Sequence, residues 1–241
     1  MASTESSSHS PAESDRPVII RPRELSLSVA EAEICRQAFE RGGLIAFPTD
    51  TVYGVGADAG NPEAVRRLFE AKRRPPTKPL PVLIDGLSGL LQCCPMPPGP
   101  PRAALKLARE FWPGPLTIVV IRSHHICPEA AAGRATVGLR VPRLPIATQV
   151  LAAVGGFMAV TSANLSGEES TVSGAEVLRT MGPSLDVVID MRIPASGVPS
   201  TVIDLTTSPP CVLREGAITV QQLASVIGEV VSPWKDPFLE L

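Results

Sequence analysis

With 241 residues, 44% hydrophobic and 19% charged, the chain can bury a sizeable core in one large domain, and no stretch in its middle has the composition of a linker. A formal net charge of −2 excludes a global pull towards nucleic acid or anionic membrane, so such a contact would need a local patch. The 5 cysteines have no C-x-x-C spacing, the 3 histidines have no metal-ligand spacing, and no apolar run reaches the about 18 residues of a membrane helix, so the expectation is a cytoplasmic protein with reduced thiols, no structural metal and no membrane span.

Residues 1–16 are rich in Ser, Thr, Glu and Pro with almost nothing to bury, which predicts a disordered leader. Pro17 starts a single domain expected to run to residue 228, with 229–241 as a tail. Val18 to Arg21 suits a short strand. Ser28-Val-Ala-Glu has the spacing of a capping box ahead of a helix over Val29 to Glu40, which Gly42 and Gly43 end. Leu44 to Phe47 reads as a buried strand stopped by Pro48, which has no N–H to give to a ladder. Thr49, Asp50, Thr51 and Tyr53 then set short polar groups at the mouth of that strand. A second strand and a helix over Pro62 to Ala71 follow, then Lys72, Arg73, Arg74 and Lys78 on a loop stiffened by Pro75, Pro76 and Pro79, and a strand ending at Ile84. A rigid basic loop facing a hydroxyl-rich turn suits a phosphorylated ligand.

Leu87 to Leu91 predicts a helical turn, Met96 to Pro101 is too rich in proline for regular structure, and Arg102 to Phe111 predicts a helix that Trp112-Pro-Gly-Pro breaks. Strands are expected over Leu116 to Ile121 and Val137 to Val141, and a helix with proline in its first turn over Pro145 to Val154. Met158 to Thr161 predicts a strand opening into Ser162-Ala-Asn-Leu-Ser-Gly. A helix over Ser173 to Met181, strands over Val187 to Met191, Ser200 to Leu205 and Cys211 to Arg214, and a helix capped by Thr219 and running to about Ile227 complete the reading. Helices alternating with strands, some of them hairpin neighbours, indicate an α/β protein with a twisted mixed parallel and antiparallel sheet flanked by helices.

Taken singly, each polar motif has a plain explanation. Cations are favoured at a helix C-terminus by its dipole, which accounts for Lys72, Arg73 and Arg74, and Ser, Asn and Gly are default turn residues, which accounts for Ser162 to Gly167. Together they fall at strand ends, where an α/β sheet binds its ligand. In order, PTDTVYGVGADA, the K-x-R pair Lys72 and Arg74, WPGPLT, TVGLRVP, S-A-N at Ser162 to Asn164, PSTVIDL and LREGAI closely resemble the YrdC family, the L-threonylcarbamoyladenylate synthases, from about Val18 to Ile227.

The resemblance implies a YrdC-like catalytic domain in its short single-domain form, a nucleotidyltransferase that makes threonylcarbamoyl-AMP and pyrophosphate from L-threonine, bicarbonate and ATP. The product would feed threonylcarbamoyladenosine modification of tRNA through separate transfer machinery. Carried over by motif, Lys72 and Arg74 are the expected catalytic cations. Arg74, Lys78, Thr136, Ser162, Asn164, Ser170 and Arg214 are the expected ATP contacts. Thr51, Arg140, Val160 and Ser200 form the expected threonine site, with Val160 contributing backbone and Arg140 holding the carboxylate through its planar fork. Mg²⁺ would travel with ATP, and no tightly bound organic cofactor is implied. Two departures stand out: Leu83 occupies a position where many relatives carry histidine, and the chain ends soon after its last helix, where longer members continue into a linker and a further domain. A rival reading, an RNA-binding or ribosome-assembly module using the same concave face without catalysis, is disfavoured by the near-neutral charge.

Overall fold

The computed structural model describes residues 16–191 and 198–231. The expected leader up to residue 15, His9 within it, and residues 232–241 of the expected tail lie outside the described residues. Strands β1 (Val18–Ile20), β2 (Ile45–Pro48), β3 (Tyr53–Ala57), β4 (Val82–Ile84), β5 (Leu116–Ile121), β6 (Thr136–Arg140), β7 (Phe157–Ser162), β8 (Val187–Ile189), β9 (Thr201–Asp204) and β10 (Cys211–Arg214) are interspersed with helices α1 (Val29–Glu40), α2 (Pro62–Ala71), α3 (Leu87–Cys93), α4 (Arg102–Phe111), α5 (Pro145–Ala153), α6 (Gly174–Met181) and α7 (Val220–Ile227).

Local chemistry sets the helix starts. The Ser28 hydroxyl accepts from the Glu31 N–H while the Glu31 carboxylate accepts from the Ser28 N–H, and Thr219 and Gln222 repeat this box at α7. Asn61 caps α2 through its side-chain oxygen, with Pro62 in the first turn where its missing N–H is no loss. The sequence reading missed a short 3₁₀ turn over Gly182–Ser184. After α7, Val230 packs against the core and Val231 bridges to Cys211, so the first residues of the expected tail are attached to the sheet.

The strands form one ten-stranded mixed sheet in the order β1-β8-β2-β3-β7-β4-β6-β5-β9-β10. One face is covered by α2, α3, α4, α6 and α7 around the larger core, which includes Leu68, Leu90, Leu107, Val177 and Leu223. On the other face α1 and α5 pack over β8, β2, β7 and β4 around Cys35, Phe39, Ile146, Val150 and Met158.

Over the remaining strands this second face is where the period of two in a strand decides the site. Val137 and Leu139 of β6, Leu116, Ile118 and Val120 of β5, and Ile203 of β9 point into the larger core. Their alternates, Thr136, Gly138 and Arg140, Thr117 and Val119, and Val202 and Asp204, line an open cavity on the opposite side.

Candidate active site

The cavity measures about 430 Å³ and is bounded by β3, β4, β7, β6, β5, β9 and the basic loop after α2. Gly138 keeps its floor open: a Cβ there would sit 2.9 Å from Thr117 Cγ2.

Arg140, at the end of β6 and only 8% exposed, is fixed by groups from two distant turns. Its Nη2 donates to Asp50 Oδ2 (2.7 Å), its Nη1 to Thr51 Oγ1 (3.2 Å) and its Nε to the Gly114 carbonyl (3.0 Å). A guanidinium carries five N–H donors, so two remain for a ligand, the number one carboxylate takes. The other Asp50 oxygen accepts from the Arg143 N–H at 3.0 Å. Trp112-Pro-Gly-Pro, which stops the preceding helix and belongs to the WPGPLT motif, thus also presents the carbonyl that orients Arg140. Within the turn after β2 the Thr49 hydroxyl donates to the Val52 carbonyl (2.7 Å) and lies 3.1 Å from the Thr51 hydroxyl.

Across the cavity, the buried Ser200 hydroxyl lies 2.9 Å from Thr117 Oγ1 and accepts from Arg214 Nη2 at 3.1 Å. Arg214 also donates to the Ser200 carbonyl from Nη2 (2.9 Å) and Nε (3.1 Å). The segment after β10 is pinned by the buried Thr201 hydroxyl, which accepts from the N–H groups of Gly216 (2.9 Å) and Ile218 (3.0 Å). Only glycine fits at 216, because a Cβ would meet the Pro199 carbonyl oxygen at 2.3 Å. Burial lowers the pKa of Arg140, partly countered by Asp50; burial and then the Arg140 cation lower that of Arg214. Two part-desolvated cations facing one cavity favour an anionic ligand, which would relieve both penalties.

The third wall comes from the loop after α2. Arg74 lines the cavity, held by the carbonyls of Pro79 (3.0 Å from Nη2) and Lys78 (3.3 Å from Nε), and burial lowers its pKa. Thr136 and Ser162 line it too. Lys78 is exposed and contributes its carbonyl to Arg74, with its side chain outside the lining.

Lys72 stands elsewhere. It is 2% exposed, and its ammonium donates to the carbonyls of Ser162 and Asn164 while its own carbonyl accepts from the Ser166 N–H at 2.9 Å. Burial, and then the Arg74 charge, bring it down to about 8. Lys72 therefore sits behind the cavity wall as a brace for the segment after β7, outside the lining.

Asn164 also lies behind the wall. Its amide donates to the carbonyls of Leu165 (2.9 Å) and Glu168 (2.8 Å), and its buried Oδ1 has no partner among the described residues. Ser170 is exposed and outside the lining. Val160 lines the cavity, and its N–H is taken by the Pro81 carbonyl at 2.9 Å. Leu83 lies in the same apolar stretch of wall, where the resemblance led one to look for histidine.

Thr51, Arg74, Thr136, Arg140, Val160, Ser162, Ser200 and Arg214 thus converge on one cavity, and Lys72, Lys78, Asn164 and Ser170 do not enter its lining. Thr117, Arg134 and Asp204 line it without having been singled out. Thr117 and Asp204 were within reach of sequence reasoning, because both lie in quoted strand motifs on the side opposite the core residues; Arg134, in a loop, carried no such signal. Among the described residues, no group of three His, Cys, Asp or Glu side chains is placed to hold a metal, and no helix is long and apolar enough to cross a membrane.

Residues 37–216 match the Sua5/YciO/YrdC family, described as telomere recombination. The chain is 38% identical over 213 residues to a threonylcarbamoyl-AMP synthase of Pyrococcus abyssi, an overlap of 88% of this chain and 62% of that protein. To a threonylcarbamoyl-AMP synthase of Bacillus subtilis it is 36% identical over 208 residues, covering 85% and 59% respectively. The crystal structure of P. abyssi Sua5 complexed with L-threonine superposes with a TM-score of 0.81 at 36% identity, covering 89% of this chain and 62% of that one. The chain thus spans about three fifths of the length of these relatives. The shared mixed sheet, the family match over most of the chain and these identities lead to one statement: this chain belongs to the Sua5/YciO/YrdC family.

Proposed function

We propose that the chain is an L-threonylcarbamoyladenylate synthase, forming threonylcarbamoyl-AMP and pyrophosphate from L-threonine, bicarbonate and ATP. The observation that carries this reading is the convergence of Arg74, Arg140 and Arg214 with the hydroxyls of Thr51, Thr117 and Ser200 in one cavity. The names of the relatives support it. A cavity of about 430 Å³ with its polar groups inside suits small substrates, and favours them over an RNA-binding face.

The threonine amine attacks the carbon of carbon dioxide, forming an N–C bond and releasing a proton, or attacks that of bicarbonate, where the amine proton leaves with the departing hydroxide as water. A carbamate oxygen then bonds to the α-phosphorus as the bond to the bridging oxygen breaks and pyrophosphate leaves. Positioning and charge neutralisation are what the protein must supply. The two spare donors of Arg140 take the threonine carboxylate, Thr51 and Ser200 flank its side chain, and Val160 and Leu83 offer an apolar wall to its methyl group. Arg74 and Arg214 meet the phosphates, with Lys78 at the rim and Thr136 and Ser162 alongside. Lys72 and Asn164 act by holding the loop that ends with Ser170. Mg²⁺ enters bound to ATP as part of that substrate, and no organic cofactor is needed. The product then passes to the machinery that modifies tRNA, a step this cavity can serve without itself holding tRNA, in a soluble cytoplasmic setting.

The test is mass spectrometry of the products formed from ATP, bicarbonate and threonine. Threonylcarbamoyl-AMP appearing together with pyrophosphate is expected. Its absence from a correctly folded preparation supplied with all three substrates would overturn the reading.

A further inference from the structure

We infer that Asp204 takes the ribose hydroxyls of the nucleotide, at the end of the cavity remote from the amino-acid site; this rests on the function proposed above. Asp204 is the only acidic side chain among the described residues lining a cavity that also presents Arg74, Arg134, Arg140 and Arg214. A carboxylate repels a triphosphate, so it belongs opposite an uncharged, hydroxyl-bearing part of the ligand, and accepting from a ribose diol is a chemistry carboxylates serve in other nucleotide sites.

The carboxylate is set for this. Its Oδ1 accepts from the N–H (2.8 Å) and the hydroxyl (2.6 Å) of Thr206, which fixes its orientation, and Oδ2 has no hydrogen-bond partner among the described residues. Register places it at a suitable distance from Arg140. Val119 of β5 pairs with both Gly138 and Asp204, so Asp204 is level with the residue two before Arg140 and two strands away. At a rise of about 3.3 Å per residue and about 4.8 Å per strand, the backbone positions of Arg140 and Asp204 are roughly 12 Å apart. That separation suits a ligand whose carboxylate is on Arg140 and whose ribose follows the carbamate and the α-phosphate. Thr136, two residues before Gly138 on β6, lies towards the same end of the cavity, and its hydroxyl has no hydrogen-bond partner among the described residues.

The experiment compares ATP with 2′,3′-dideoxy-ATP on the parent, Asp204→Ala and Asp204→Asn, reading kcat/KM for pyrophosphate release and the KM for threonine. The parent should disfavour the dideoxy nucleotide by about 10- to 100-fold, the range of a hydrogen bond to a charged group. Asp204→Ala should lose that factor with ATP, keep its rate with dideoxy-ATP, and leave the threonine KM unchanged. Asp204→Asn retains an acceptor for Thr206 and should fall between, so it carries the test if the alanine variant fails to fold. A variant that keeps the parent's preference, or one that loses both nucleotides equally, overturns the assignment. A parent that makes no threonylcarbamoyl-AMP from ATP sinks the function itself, a different result from either.

Discussion

Lys72 separates a structural from a chemical role most sharply. Replacing it with methionine removes a buried cation and leaves the Asn164 carbonyl without its donor, while the Ser162 carbonyl keeps the Asn164 N–H at 3.0 Å. One unsatisfied buried carbonyl costs about 1–3 kcal/mol. Against that, bringing a lysine from 10.5 down to about 8 means that burying its charge costs at most about 3 kcal/mol, which methionine relieves. The two nearly cancel near neutral pH, so parent and variant should differ there by no more than about 1 kcal/mol, or roughly 2–4 °C in melting temperature for a chain of this size. The sign of the pH dependence follows from the same shift. Between about 8 and 10.5 the unfolded chain holds the lysine proton more tightly than the folded one, so parent stability rises with pH through this window, and the penalty is fully present below it. Lys72→Met has no such group. The gap between parent and variant should therefore widen from pH 7.5 to pH 10 in thermal unfolding followed by circular dichroism, while the variant keeps measurable turnover with a raised KM for ATP. A variant that melts with the parent at every pH and has no turnover would refute the brace and return Lys72 to the chemistry.

Arg140→Ala should raise the threonine KM by about 100-fold or more, since two charge-assisted hydrogen bonds are lost, and an unchanged saturation curve would place the carboxylate elsewhere. In the parent, valine should be rejected far more strongly than serine: a lost methyl is worth about 10- to 200-fold, but a site that hydrogen-bonds a hydroxyl rejects its absence by about 10⁴-fold. Ser200→Ala should narrow the threonine to valine gap, and equal use of valine and serine by the parent would remove Thr51 and Ser200 from side-chain recognition. All five cysteines are free; burial pushes Cys35 and Cys93 up to about 12 and Cys94 up to about 11, and of the five only Cys211 is part-exposed. Iodoacetamide at pH 8 should accordingly label Cys211 alone in the native protein and all five after denaturation, as counted by mass spectrometry; rapid native labelling of Cys93 or Cys94 would contradict the packing around α3.

What was legible in the sequence was what adjacent residues decide. Helix starts at Ser28, Asn61 and Thr219 follow from caps two or three residues long, and strand ends follow from Pro48 and from the hydroxyl-rich turns. The partners of Arg140 were not legible, because Asp50 is 90 positions away and meets it only once β7 and β4 have been inserted between β3 and β6. The partners of Lys72 were hidden for the same reason. A lysine in a charged run after a helix looks like a solvated or ligand-facing cation, and only the long-range return of the segment after β7 buries it. The site and the core are also coupled in a way no short motif displays. Leu139 faces the larger core and Arg140 the cavity, as do Ile118 and Thr117, and Ile203 and Asp204. A slip of one residue in β6 would send a guanidinium into the apolar layer and a leucine into the cavity. The same hydrophobic alternation that stabilises the sheet therefore fixes which groups meet the ligand, and this strand cannot slide to adjust its site without giving up its core.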